Sequence, residues 1–576
     1  MQRKQLIVVI VSLLVVVLSV TLAYFTTQII GKGKDVSVTS TNLQIVFTDT
    51  DGEIAGSDIE PGWSATKTFT IENKSKEEYK YNIVIKDLVN TFVTNGYLQY
   101  KITSTNNGYN MSEFKDIPKS SVATDTILAY SVLIPNGVTQ SYTIEFRYPN
   151  DTEVDQGDDM GKVLKGTLFI TEGSIPTLTE KLLLDNSTIS ERTDFSTLFK
   201  TNTANTLYKA KEDNIDVYYF AGKDTESTPI NNWVKFGKKG TCLYNGMEVA
   251  FYDENSTSIL RETKNQEECV SSNVCVLNDA TVSMAVVGVT DEKCTESEGT
   301  LTGKKAVYDE TAQIYWRIIR TNSDGGVRLL YHGASAKSVI SHIGVTPFND
   351  DYNDIAYVSY MYGSTGSIEN ARNNQTISST IKTYIDNWYA SNMTSYTKYL
   401  STTAVYCNDR SRPEYYFGAQ IRLETNKTPT YDCAVKEDKF TVDSSVGNGK
   451  LTYPIALMTA DEMAFAGAVY GASESSTAWF YYNSANLPST TNGICWSMSP
   501  YYYWMSDGGR GEMFVSTSDD GNGLSYYFLG STYLGIVRPV VSLKSCVKYA
   551  SGDGTPENPY TIEETETGCW YEIVTN

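Results

Sequence analysis

The sequence predicts an α+β, mainly β protein: an N-terminal transmembrane helix, a β-sandwich, and a larger α+β domain carrying a cysteine-rich insertion. Three observations predict it. One unbroken apolar run occupies residues 6–25, short alternating strands follow from about residue 35, and beyond residue 200 strands mix with two capped helices and nine cysteines.

At 576 residues the chain has room for two to four domains. Apolar residues make up 41%, enough to build a sizeable core. Lys and Arg number 47 against 68 Asp and Glu, a formal net charge of -21 that argues against nucleic acid as a partner, since phosphate binding needs a basic footprint. The 42 tyrosines suit β-rich surfaces that bind through rigid amphipathic rings.

The run LIVVIVSLLVVVLSVTLAYF is long enough, at about 1.5 Å per residue, to cross a bilayer core. Arg3 and Lys4 precede it and Lys32 and Lys34 follow, so charge alone barely orients it. Two readings stay open: an uncleaved anchor, the favoured one, and a secretory signal cut after Ala23, where Thr21-Leu22-Ala23 offers small residues. Both export the rest of the chain, the first as a single-pass membrane protein with its C-terminal region outside, the second as a secreted one. Residues 1–34 form this segment. The internal Leu487-Pro488-Ser489-Thr490 reads as a loop.

Residues 35–173 read as the β-sandwich. Leu43–Phe47 alternates before the turn at Asp49-Thr50-Asp51-Gly52, then strands are expected at Thr68–Ile71, Tyr79–Ile85, Ser141–Phe146 and Lys165–Ile170. Ala23-Tyr24-Phe25-Thr26, Pro61-Gly62-Trp63-Ser64, Ile71-Glu72-Asn73-Lys74-Ser75 and Gly161-Lys162 resemble motifs of the camelysin/TasA-type surface proteins of Gram-positive bacteria. The resemblance covers about 150 residues and implies a jelly-roll-like sandwich able to assemble into matrix fibres. A plain spacer beneath a binding head carries equal weight. Some members have been called proteases, but no HExxH and no histidine occurs here, so that activity is not carried over.

After a linker at 174–200, residues 201–576 form the large domain. Ile314–Arg320 and Val327–Tyr331 flank Ser323-Asp324-Gly325-Gly326, a strong hairpin signal. Alternation puts Trp316 and Ile318 on one face and Arg317 and Ile319 on the other. Arg317 and Arg320 are expected to flank the sheet and pair with local carboxylates rather than bind an anion. Ser379 can cap a helix whose Ile381, Tyr384, Ile385 and Trp388 share a face. Thr459 and Glu462 form a capping box, with Met463, Ala464, Ala466 and Ala468 packing behind it. Trp496-Ser497-Met498-Ser499-Pro500 and a final Arg538-Pro539 strand complete the order. Residues 239–305 read as an inserted subdomain holding Cys242, Cys269, Cys275 and Cys294. Clustering suggests local pairs Cys407–Cys433 and Cys546–Cys569 and leaves Cys495 alone, although connectivity is not fixed by spacing. Zinc is disfavoured, because there is no CxxC and the two histidines, His332 and His342, sit far from the cluster.

This motif order resembles a widespread bacterial surface domain of unknown function and, more distantly, the formylglycine-generating-enzyme and C-type-lectin-like fold, over about 300 residues. The resemblance implies a lectin-like head. The oxidase chemistry of that fold needs two active cysteines, and Cys495 stands alone, so no catalytic residue is assigned.

The leading functional reading is therefore an exported surface protein that binds an extracellular glycan or protein. Lectin-like folds place variable residues just before the final strand, which here selects Tyr502, Tyr503, Trp504, Asp507, Arg510, Tyr526 and Tyr527 as ligand-binding candidates. A competing view makes several of these ordinary sheet residues. The alternatives are a matrix or fibre subunit self-assembling through 35–173 and a carbohydrate-active enzyme, for which a carboxylate pair is conceivable. No cofactor or metal is expected. The acidic loops Asn349-Asp350-Asp351 and Ser518-Asp519-Asp520-Gly521-Asn522 could hold Ca²⁺, but solvated turns are the favoured reading.

Overall fold

A computed structural model describes strands at 28–29, 36–40 and 43–49 and then residues 59–569, apart from 253–259, 473–478, 480–493, 505–509, 517–522 and gaps of one to four residues. The apolar run 6–25 lies outside the described residues, and no described helix is long and apolar enough to cross a membrane. Strand accounts for 39% and helix for 16%, so the protein is α+β and mainly β. It divides into two compact units, Met1–Pro176 and Thr177–Asn576.

The first unit contains two sheets. One orders Gln28–Ile29, Leu164–Glu172, Tyr79–Asn90 and Ser120–Ile134. The other orders Val36–Ser40, Leu43–Asp49, Trp63–Asn73, Thr139–Tyr148, Gln99–Ser104 and Lys115–Asp116. Period-two burial explains their pairing. Tyr142, Ile144, Phe146 and Tyr148 alternate inward along one strand, and they share a single core with Ile83, Ile85, Leu168 and Ile170 of the other sheet. Each fully buried side chain of this size contributes about 1.5–3 kcal/mol. Gln140, also buried, accepts a hydrogen bond from Tyr81 at 2.6 Å, so its carbonyl is not left unsatisfied.

The second unit is built on a ten-stranded sheet centred on Gln313–Thr321. That strand forms a hairpin with Val327–Gly333, which pairs with Pro539–Leu543, itself paired with Ile455–Leu457. Both hairpin strands are covered on both sides, so the simple two-face alternation is replaced by nearly continuous burial. Trp316 donates from Nε1 to Phe236 O at 2.7 Å. Arg317 lies 4.0 Å over the Trp233 ring and pairs with Asp224 at 2.7 Å. Arg320 pairs with Glu212 and Glu462. The arginines thus meet carboxylates, but carboxylates distant in sequence.

Both expected helices form. Thr380–Asn392 is capped by Ser379, with Ile381 and Ile385 fully buried and Tyr384 and Trp388 packed beside them. Ala460–Ala466 starts with the Thr459–Glu462 capping box and ends at Gly467, whose φ of +126° suits glycine. All seven of its residues are buried. The stretch 174–200 carries the helix Leu178–Asp185 and the strand Thr188–Glu191, which extends the ten-stranded sheet. A separate seven-stranded sheet spans Thr241–Tyr244 to Val307–Asp309 and has its own small cores. Disulfides join Cys242–Cys269, Cys275–Cys294, Cys407–Cys433 and Cys546–Cys569, while Cys495 is free and buried. A five-stranded sheet of Val345–Thr346, Gly535–Ile536, Cys495–Trp504, Arg510–Ser516 and Leu524–Phe528 completes the unit.

Candidate functional site

The tyrosine-rich region lies on this five-stranded sheet. Cys495–Trp504 and Arg510–Ser516 pair antiparallel, with Tyr502 opposite Glu512 and Trp504 opposite Arg510, and Leu524–Phe528 adds beyond them. A register shift between Pro500 and Tyr502 breaks the alternation. Tyr501 and Tyr502 consequently lie within reach of each other, their rings 6.5 Å apart.

Of the seven candidates, Tyr526 and Tyr527 do not share a surface. Tyr526 and Tyr527 are successive strand residues and point to opposite faces. Tyr527 packs against Trp496 and Tyr533, both at 5.6 Å. Tyr526 is 41% exposed and stacks in parallel on Tyr501 at 4.6 Å. Tyr502, half-buried, lies 5.7 Å from Tyr416, which is 45% exposed. Tyr503, Trp504 and Arg510 occupy strand positions whose side chains are outside the description, and Asp507 lies outside the described residues. The face the structure assembles is therefore Tyr416, Tyr502, Tyr501 and Tyr526, backed by Tyr470. Tyr416 and Tyr470 escape sequence reasoning because they come from loops 86 and 32 residues before Tyr502, with no local pattern to mark them.

Polar contacts hold this face in place. The Tyr470 and Tyr501 hydroxyls meet at 2.5 Å, and Tyr501 also donates to Glu424 Oε2 at 3.2 Å. Burial, reinforced by Tyr470, pushes the Tyr501 hydroxyl well above the usual phenol range, so it stays protonated. Burial and Tyr416 also raise the Tyr502 hydroxyl, against the opposing charge of Arg412.

Beside the face opens a groove of about 490 Å³ lined by Arg372, Ser411, Arg412, Gly418, Ile421 and Arg422. Its walls are set by buried ion pairs. Asp438, fully buried, takes Arg410 Nε at 2.8 Å and Arg372 through Nε and Nη2. Arg422 spends Nε and Nη2 on Asp461 and Nη1 on Asp409. Behind it, Glu462 Oε1 accepts from Arg320 Nε at 3.0 Å and Arg328 Nη1 at 2.5 Å. Burial alone would raise the Glu462 carboxyl, but Arg328 and Arg320 outweigh it and hold it below the ordinary range. A polar cavity of about 20 Å³ between these groups is large enough for a single water.

Among the described residues no group of three His, Cys, Asp or Glu side chains could hold a metal ion. In the loop at 349–351, Asp350 accepts from the Thr380 hydroxyl at 2.8 Å and Asp351 from Tyr352 N at 2.7 Å, tying the loop to the adjacent helix start. The second acidic loop, 518–522, lies outside the described residues.

No family model and no curated protein matches the chain. A solved structure described as AvmM, which catalyses macrocyclization in alchivemycin A biosynthesis, matches at 10% identity over 25% of this chain and 100% of its own, with a TM-score of 0.14. A likeness of that size carries no argument about fold or chemistry.

Proposed function

We propose that the protein is an exported bacterial surface protein whose larger unit binds an extracellular ligand through the tyrosine face. The observation that carries this reading is the face itself: two tyrosines more than 40% exposed, Tyr416 and Tyr526, continuous with half-buried Tyr502 and bordering an open groove. Ring surface held rigidly and left accessible is what a binding platform needs. Four disulfides support an oxidising location outside the cytoplasm. On this reading residues 6–25 deliver the chain to the membrane, the first unit is a jelly-roll-like sandwich of the camelysin/TasA type, and the second is a lectin-like head without catalytic role.

The test is a glycan and host-protein array probed with the exported chain, beside a Tyr416→Ala/Tyr502→Ala/Tyr526→Ala variant. Binding lost in the variant while its unfolding transition is kept supports the reading. Binding retained at full strength removes the face from it.

A second reading, a matrix subunit, is favoured by the edge of the six-stranded sheet. Among the described residues Val36–Ser40 pairs on one side alone, and its sequence VSVTS has neither charge nor proline to discourage edge-to-edge addition. Filaments formed by the chain and lost on replacing Val38 by Lys favour it. A monomer at all concentrations counts against it.

A further inference from the structure

Lys239 is a buried cation held between two carboxylates. Its side chain is 3% exposed, with Nζ 2.7 Å from Glu262 Oε1 and 3.8 Å from Glu248 Oε1. Glu248 is equally buried, and Glu262 is 14% exposed. Strand pairing brings the two carboxylates together. Ala250 faces Glu262 across the strands Met247–Tyr252 and Leu260–Glu262, which makes Glu248 and Glu262 diagonal neighbours on one face of the sheet. Lys239 leads into the same sheet just before the strand Thr241–Tyr244. The hairpin strand Val327–Gly333 and the loop after it close the cluster: Tyr331 donates to Glu262 Oε1, and Ser338 donates to Glu248 Oε2. Buried Lys181 and Lys382 also meet carboxylates, Asp185 and Asp386, but one turn along the same helix. Lys239 differs because two carboxylates from separate strands converge on it, one more than its charge can match. Burial, with Glu262 beside it, pushes the Glu248 carboxyl up despite Lys239, so Glu248 is the member suited to carry a proton. The two carboxylates outweigh burial at Lys239 and raise it, so the amine rests as an ammonium against Glu262.

We propose that Lys239 and Glu262 condense into an intramolecular isopeptide bond, with Glu248 as the proton carrier. The Lys239 ammonium first passes a proton to Glu262 along their hydrogen bond, leaving a neutral amine beside a neutral carboxyl. The Nζ lone pair then forms a bond to Glu262 Cδ, while the Tyr331 hydroxyl polarises the oxygen it already contacts. Glu248 takes a second proton from Nζ and gives its own to the departing hydroxyl, so it ends as it began. One ammonium and one carboxylate become one amide and one water, and nothing is oxidised or reduced. In solution such a pair does not condense, because water is in excess. Held in contact, the two groups reach an effective concentration of about 10⁵–10⁸ M, and a neutral amide replaces two charges that are costly to bury. The bond would tie residue 239 to residue 262, across nearly the same loop that Cys242–Cys269 closes, through a link that reductants do not open.

Peptide mass mapping of the full chain reads the bond directly, with the folded protein unfolded and fully reduced before digestion so that no disulfide contributes. The expected result is a branched species joining the peptides that hold Lys239 and Glu262, about 18 Da lighter than the two together for the water lost. Fragmentation should place the link between those two side chains, and Lys239→Arg should abolish it. Glu248→Gln keeps the size of the side chain and removes its carboxyl; it should leave most chains unjoined, since a positioned acid–base group is worth about 10²–10⁴ in rate. Lys239 and Glu262 recovered on separate peptides of unaltered mass from the wild-type chain overturn the proposal, whatever the variants do. A link to Glu248 in place of Glu262 overturns the assignment of the partners, and full joining in Glu248→Gln overturns the part given to Glu248.

Discussion

Replacing Glu462 by Gln should be among the most damaging changes of one functional group in the second unit. The side-chain oxygen that accepts from Thr459 N at 3.0 Å is retained, because glutamine serves equally in a capping box. What disappears is the charge, together with the Oε1 acceptor that Arg320 and Arg328 share, since an amide NH2 takes its place. Arg320 keeps Glu212 at 2.7 Å, but Arg328, 1% exposed, is left with Val405 O and the Ser542 hydroxyl as hydrogen-bond partners and the Tyr406 ring 4.7 Å away. A buried charge stripped of its counter-ion costs about 3–5 kcal/mol. Glu462→Ala should cost about 1 kcal/mol more, since the helix also loses half of its capping box. Equilibrium urea unfolding at pH 7, followed by the fluorescence of the buried Trp316, Trp479 and Trp496, measures both. The double variant Arg328→Met/Glu462→Gln removes the stranded charge and should recover at least about 1–2 kcal/mol relative to Glu462→Gln alone. A cost below about 1 kcal/mol for Glu462→Gln, or a double variant no more stable than the single one, refutes the charge-pair account.

Two further outcomes follow from the same structure. Burial, with Arg538 nearby, pushes His342 down to about 3, so the native state keeps it neutral while the unfolded chain protonates near pH 6.5. Stability contributed by neutral His342 is full above pH 6.5 and is lost as pH falls towards 3, by about 3 kcal/mol at pH 4; His342→Gln should flatten urea midpoints measured across pH 6.5–4. Cys407–Cys433 closes a loop with a sequence separation of 26 that carries Arg410, Arg412, Tyr416 and Arg422. Cys407→Ser/Cys433→Ser should cost about 3.5 kcal/mol of unfolding free energy on the loop-entropy estimate, and a loss below about 1 kcal/mol would show that the loop is restrained without it.

The local elements were legible because their causes are local. Ser379, Thr459 and Glu462 announce helix starts through bonds spanning three residues, and both caps form where the residues allow them. The Asp-Gly turn between Ile314–Arg320 and Val327–Tyr331 announces a hairpin for the same reason. The choice of binding residues was less legible. Composition marks 501–534 as tyrosine-rich, but composition does not say which ring faces which side, and a single register shift beside Tyr502 decides that.

By itself the sequence determined the export segment as an expectation, the strand-rich character, the helix caps, and the clustering of cysteines into local groups, all of which depend on residues within a few turns or about 30 positions of each other. Tertiary structure alone decided the partners of the arginines and the make-up of the face. Asp224 reaches Arg317 across 93 residues, Glu462 reaches Arg320 and Arg328 across 142 and 134, and Tyr416 meets Tyr502 across 86. The physical reason is that a buried charge or ring is satisfied by whatever the packed core brings within a few ångströms, and that proximity is set by sheet register and loop closure rather than by spacing along the chain.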